Sequence, residues 1–251
     1  MEEAFIKAAE KFIEDNRAAI LKDLKLWMAI KSVAGEAEEG APYGPGPKKA
    51  LDTALARAEE MGLRTHNCEG HMGYAELPGE QEAFLAIIPH LDVVPAEEEG
   101  WESDPFEMTF RDGYIVGRGS SDDKGAAVIS LYALKFFAER GERYPYTMRL
   151  IFGTHEESGM ADADYYRRHY PQPLFGFTPD VGFPVGYAEK GSFSGDLTLP
   201  FPFKTIKKLE AGKNKYRVPD RALALIAAKA ADCPSEDNIT ITKEDQLLQI
   251  E

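Results

Sequence analysis

Cysteine is nearly absent. The 251 residues hold two, Cys68 and Cys233, far apart and in no metal-binding or redox spacing, which excludes a disulfide framework or a cysteine-rich zinc module and leaves two plain thiols. Long apolar runs are missing too. Nothing approaches the roughly 20 residues that a bilayer-crossing helix needs, and the N-terminus MEEAFIKAAEKFIEDN carries acids where a secretory leader carries a basic region. No membrane partner is expected, and the cytoplasm is the expected location. Positive charge is short: 29 Lys and Arg stand against 43 Asp and Glu, a net charge of -14. Nucleic acid is therefore excluded as a natural partner, because phosphate binding rests on clustered cations. Histidine is scarce as well, with five residues and none after His169. The chain shows no internal repeat and no low-complexity tract.

What is present suits a folded protein. Hydrophobic residues make up 43% and aromatics 11% of the chain, enough for a substantial core in one large or two modest domains. From Glu3 to about Ile30 the apolar residues fall at helical spacing, with a possible break. A Gly- and Pro-rich loop follows, then a helix from about Lys48 to Met61 ending at Gly62. LRTHNCEGHMGYAELP and AFLAIIP read as strands, the second a continuous apolar run of the kind buried inside an α/β sheet. EMTFRDGYIVGRG reads as a hairpin turning at Asp112-Gly113. A helix from about Asp123 to Arg140, the buried strand YTMRLIFGT and a short helix ADADYYRRHY complete a layered α/β domain. The composition changes near Gly191. Beyond it SFSGDLTLP, TIKKLEAG, RALALIAAKAA, NITITK and QLLQIE read as strand, strand, helix, strand and strand, the start of a smaller α+β domain.

Four segments carry chemistry. IIPHLDVVP places His90 and Asp92 two apart after a buried strand, so they share a face while the strand geometry lasts; one can bind a metal while the other orients it. GRGSSDDKG sets Asp122 and Asp123 at a helix start, where carboxylates also serve as caps. LIFGTHEESG puts Glu156 and Glu157 at the end of the second buried strand, with adjacent side chains pointing opposite ways. GFTPDVGFP holds Asp180 in a Pro-bounded loop. Each alone also reads as a strand end, a cap, an acidic loop or a turn. Together they form the set of one His and several carboxylates expected at the carboxyl edge of an α/β sheet, and such mixed donors suit zinc, cobalt or manganese.

In content and order, HLDVVP, WESDPF, GRGSSDDKG, HEESG and GFTPD followed by EKG resemble the di-zinc peptidases that include carboxypeptidase G, aminoacylase, desuccinylases and carnosinase. The TPD form and the EKG after it look most like the bacterial dipeptidase peptidase V and its relatives. The resemblance implies a three-layer α/β zinc-peptidase catalytic domain with a mixed sheet over residues 1–190. Residues 191–251 would begin a small α+β, ferredoxin-like lid domain. It also implies two zinc ions: His90 and Asp180 on the first, Glu157 on the second, Asp122 bridging, and Asp92 buttressing His90. The Asp122–Asp123 peptide is expected to be cis. Glu156 would be the general base of a metal-bridged water, and the substrates would be dipeptides with a free amino end.

One departure stands out. The second zinc of such enzymes takes a late histidine, and this chain has none after His169; His66, His71, His155 and His169 read as ordinary surface or core histidines. The chain also stops at QLLQIE within an apparent strand, which makes it read as an N-terminal fragment of such an enzyme, with the first zinc bound better than the second. The readings kept open are therefore a metallodipeptidase, a non-catalytic metal-binding fragment, and a deacylase or carboxypeptidase of the same family. The sequence sets no oligomeric state.

Overall fold

The computed structural model describes residues 2–96, 100–182, 185–188, 190–191, 205–212, 222–227, 240–244 and 247–250. It divides into two compact units, Met1–Tyr187 and Ala188–Glu251.

The first unit is a three-layer sandwich around a mixed sheet. Its elements run α1 (Glu2–Met28), α2 (Pro45–Glu60), β1 (Arg64–Cys68), β2 (Met72–Leu77), β3 (Gln81–Ile87), β4 (Thr109–Arg111), β5 (Tyr114–Val116), α3 (Lys124–Arg140), β6 (Tyr146–Phe152), α4 (Ala161–His169) and β7 (Phe175–Phe177). The five-stranded sheet has the order β1-β2-β6-β3-β7. Its β1–β2 and β2–β6 pairs are antiparallel, whereas β3 runs parallel to both β6 and β7.

The period-2 geometry of a strand sorts β6 onto two cores. Leu150 and Phe152 point into a large apolar cluster with Ile20, Leu24, Trp27 and Met28 of α1, Leu51 and Leu55 of α2, and Val128 and Leu131 of α3. Ile151, between them, points to the opposite face, where Cys68, Phe84, Ala86 and Tyr166 of α4 form a smaller cluster. Three helices thus cover one face and α4 the other. The smaller face also carries Arg149, which pairs with Glu76 at 2.8 Å and lies 3.9 Å from the ring centres of Tyr74 and Phe84.

Helix α1 runs without the break that its sequence allowed, because Trp27 and Met28 continue the buried stripe to its end. The hairpin β4–β5 turns at Asp112-Gly113, both with positive φ, as an Asp-Gly pair permits. β7 was not expected. Its three residues are all exposed, so no burial pattern marks it in the sequence.

The second unit contains β8 (Ile206–Ala211), β9 (Ala222–Ile226), β10 (Ile241–Glu244) and β11 (Leu247–Ile250) in an antiparallel sheet of order β10-β11-β9-β8. One expectation is corrected here. RALALIAAKAA, expected as a helix, contributes the strand β9, paired on both sides by β8 and β11. Alanine and leucine favour helices, but propensity is a weak prior and two flanking strands override it. The strand expected over SFSGDLTLP lies outside the described residues.

Candidate metal centre

The parallel strands β3, β6 and β7 end on the same edge of the sheet; His90, the two glutamates and Asp180 follow those ends, and Asp122 stands just before α3. Past Ile87 the chain keeps pairing with the segment after β6: Gly153 donates to Pro89 O and Leu91 donates to Gly153 O, each at 2.8 Å. That pairing fixes His90 beside Gly153. The approach is close, since a Cβ on Gly153 would lie 3.3 Å from the Cβ of His90.

His90 is 3% exposed, and its two ring nitrogens have separate surroundings. Nδ1 faces Asp92, 3.0 Å from the carbonyl oxygen and 3.3 Å from carboxylate Oδ1. Nε2 faces outward to Asp122 Oδ1 at 3.0 Å, Asp180 Oδ2 at 3.3 Å and Glu156 Oε2 at 3.9 Å. A proton on Nδ1 shared with Asp92 leaves the Nε2 lone pair free for a cation, the arrangement by which outer groups orient a ligating imidazole.

His90, Asp122 and Asp180 offer ligand atoms that all lie within 4.8 Å of one another, the one such His/Asp/Asp group among the described residues. Asp92 is fully buried and also holds the loop after β6, its Oδ1 accepting from the amide of Glu156 and its Oδ2 from that of Glu157, both at 3.1 Å. Strand β6 ends at Phe152, so the two glutamates stand on this loop and not on a strand end.

Asp122 and Asp123 are joined by a cis peptide, and their side chains diverge. Asp123 is fully buried and makes no helix-cap bond; its Oδ2 accepts from the His90 amide at 3.1 Å while its Oδ1 has no hydrogen-bond partner. The sequence offered Asp123 only as a candidate cap at the helix start, not as a group holding the His90 amide, and only its place next to Asp122 could have singled it out for the site. Gly125 makes this turn possible, since a Cβ there would lie 2.1 Å from Ser120 O. Lys124 is buried as well, donating to Ile30 O at 2.6 Å.

The electrostatics are those of crowded acids. Burial, and then neighbouring carboxylates, raise the carboxyl groups of Glu156 and Asp180 above their ordinary values, although His90 opposes the shift. The same causes push Glu157 up to about 7, Asp122 being its strongest charged neighbour. Burial pushes Asp123 to about 7 as well. Burial alone would lower His90, but its hydrogen bond to Asp92 and the charges of Asp92, Asp123 and Asp180 raise it to about 10. An imidazolium partly compensates these acids; a divalent cation would compensate them more fully. With one nitrogen and several oxygen donors converging and an unpartnered buried oxygen behind them, the residues fit a borderline divalent metal such as zinc, cobalt or manganese.

The other histidines sit in aromatic stacks. His155 stacks on Tyr43, His71 on Tyr165 and Tyr165 on His169, with ring centres 4.2, 3.7 and 4.1 Å apart, and His66 lies against Tyr74 and Tyr170. None of them belongs to the group formed by His90, Asp122 and Asp180.

The sequence model of peptidase family M20/M25/M40 matches residues 86–233, a span that includes every one of these candidate residues. The chain belongs to that peptidase family. Among its relatives, "Putative dipeptidase YtjP" of Bacillus subtilis is 34% identical over 236 residues, covering 91% of this chain and 50% of the relative. A "Putative dipeptidase" of Staphylococcus aureus is 36% identical over 219 residues, covering 84% of this chain and 46% of the relative. The chain thus spans about half the length of the curated relatives it matches. Among solved structures, human carnosine dipeptidase 1 shares the fold with a TM-score of 0.59 at 20% identity, over 70% of this chain and 41% of that one. An M20 family metallo-carboxypeptidase from Sulfolobus solfataricus matches with a TM-score of 0.50 at 25% identity, over 59% of this chain and 34% of that one. The mixed α/β architecture is therefore that of M20 peptidases. Among the described residues no helix is long and apolar enough to cross a membrane.

Proposed function

We propose that this chain carries the metal centre and the general base of a zinc-dependent dipeptidase that hydrolyses short peptides with a free amino end. The observation that carries the reading is the convergence of His90, Asp122 and Asp180, with Glu156 alongside, at the carboxyl edge of three parallel strands. Residues 1–190 form the catalytic part, and residues 191–251 belong to a second, smaller domain. His90, Asp122 and Asp180 would hold a first ion, and Asp122 and Glu157 would contribute to a second. Bound there, divalent cations would acidify a water and polarise the scissile carbonyl.

The chain's own residues do the rest. Asp92 keeps the His90 tautomer and fixes the Glu156 and Glu157 amides. Glu156, half-buried and with its carboxyl raised by burial, accepts a proton from the attacking water and returns it to the leaving amine.

A specific observation favours a second reading, a chain that holds metal without catalysis. The described residues contain one three-ligand His/Asp/Asp group, and the four remaining histidines lie elsewhere. Metal content and turnover of dipeptides separate the two. Dipeptide hydrolysis that is abolished by Glu156→Ala with metal content kept supports the dipeptidase. One bound ion without turnover supports the metal-holding chain. Hydrolysis of N-acyl amino acids or of C-terminal residues in place of dipeptides would reassign the substrate class to a deacylase or carboxypeptidase.

A further inference from the structure

Two buried aspartates divide four consecutive amides of the loop after β6. Asp92 takes those of Glu156 and Glu157. Asp162, near the start of α4, takes the other two through Oδ2, Thr154 at 2.7 Å and His155 at 3.0 Å, while its Oδ1 accepts from Ala163 at 2.8 Å. Asp162 is 2% exposed, and none of the ion pairs among the described residues includes it. A buried carboxylate is costly unless hydrogen bonds satisfy it, and two of its three backbone donors are the amides that set the direction of the loop. The neighbouring strand end is shaped to admit it: a Cβ on Gly153 would lie 3.1 Å from Asp162 Oδ2. The other side of the loop is held by the Thr154 hydroxyl, which donates to His71 O, and by the His155 ring on Tyr43.

We propose that Asp162 is a positioning residue for Glu156 and Glu157. It fixes the course of the chain as it leaves β6, so that the next two residues present one carboxylate to His90 and another to the second ion. This inference rests on the functional reading above, which gives those two glutamates their roles. Asp164, two residues along the same helix, is a natural control, because its side chain is 43% exposed and pairs only with Arg167 and Arg168 among the described ion pairs.

The test compares Asp162→Ala, Asp162→Asn and Asp164→Ala with the parent chain. Amide hydrogen exchange is followed by NMR, and cobalt(II) binding by calorimetry and visible absorption. In Asp162→Ala the amides of Glu156 and Glu157, which Asp162 does not touch, should lose protection while β6 and α4 keep theirs. Cobalt binding that uses Glu157 should weaken about 10-fold or more, as expected when a group that orients a ligand is lost, and the absorption bands should shift. The ion held by His90, Asp122 and Asp180 should bind as in the parent. Asp162→Asn should lie between, and Asp164→Ala should match the parent.

Unchanged protection of Glu156 and Glu157 would overturn the proposal. So would a uniform loss of protection through the unit with every ion weakened alike, which would make Asp162 structural only. If the alanine variant does not fold, the isosteric asparagine variant is read by the same criteria. If the parent binds no cobalt, the functional reading falls, and exchange at Glu156 and Glu157 still decides the positioning claim.

Discussion

Replacing Asp92 by asparagine preserves the shape of the side chain and removes its charge. Both carboxylate oxygens accept amides at 3.1 Å, and Oδ1 also faces His90 Nδ1 at 3.3 Å. Asparagine offers one oxygen and one NH2, so in either orientation a donor meets a donor. A hydrogen bond to a charged group contributes about 1.5–3 kcal/mol and a neutral one about 0.5–1.5 kcal/mol. Losing one bond and weakening the other therefore costs about 2.5–4.5 kcal/mol in loop geometry. Relief from burying an ionised carboxylate offsets part of this, which makes thermal stability the poorer readout and metal affinity the better one. The His90 ring keeps its other acceptor, the Asp92 carbonyl at 3.0 Å, so its orientation survives and the loss falls on the Glu157 side. On the proposed reading, the expected result is a metal affinity reduced by about 10–100-fold, mostly in binding that would use Glu157. Zinc and cobalt titrations by calorimetry, with amide exchange of Glu156 and Glu157 alongside, measure it. An Asp92→Asn chain that binds every ion as tightly as the parent would refute the reasoning.

The remaining predictions concern the core, the thiols and the Asp122 turn. Leu150→Ala, at a fully buried position in the central strand β6, should cost about 2–5 kcal/mol in urea unfolding, whereas Leu26→Ala, on the exposed side of α1, should stay within about 0.5 kcal/mol. Burial pushes the Cys68 thiol up to about 11; an acid raised in the folded state stays protonated below that value. In a Cys233→Ser background, Cys68 should therefore resist iodoacetamide at pH 8 and react only as fast as the chain opens, and rapid alkylation of the folded chain would contradict this. Gly125→Ala forces a Cβ to 2.1 Å from Ser120 O, so the turn bearing Asp122 must shift. Metal binding should fall together with thermal stability; unchanged values of both would show that the turn adapts.

The candidate ligands were more legible in the sequence than the sheet was. AFLAIIP and YTMRLIFGT read as strands and became neighbours in the parallel pair β3–β6, although AFLAIIP, expected to be buried throughout, buries Phe84 and Ala86 and leaves Leu85 exposed. His90 and the two glutamates stood just past those runs, whereas Asp122 stood at a helix start and Asp180 in a loop. It was the resemblance to the di-zinc peptidases that set His90, Asp122 and Asp180 together, and their ligand atoms do lie within 4.8 Å of one another. Strand β9 was hidden because ALALI has the residues of a helix, and only pairing on both edges makes it a strand. The short β7 was hidden by its exposure. Asp123 and Asp162 escaped for another reason: both lie in acid-rich stretches at helix starts, where the sequence cannot distinguish a solvated cap from a buried carboxylate holding another segment's amides.

The pairing that places His90 against Gly153 also bears on how the chain folds. The ligands are brought together by contacts between segments some sixty residues apart, and such non-local contacts are slow to form, because chain closure must precede any gain from them. The candidate metal centre is therefore expected to form only once these long-range contacts are in place, so that an ion would not serve as the folding nucleus. Metal should leave the refolding rate almost untouched and slow unfolding instead, which makes bound metal a source of kinetic persistence for the folded state.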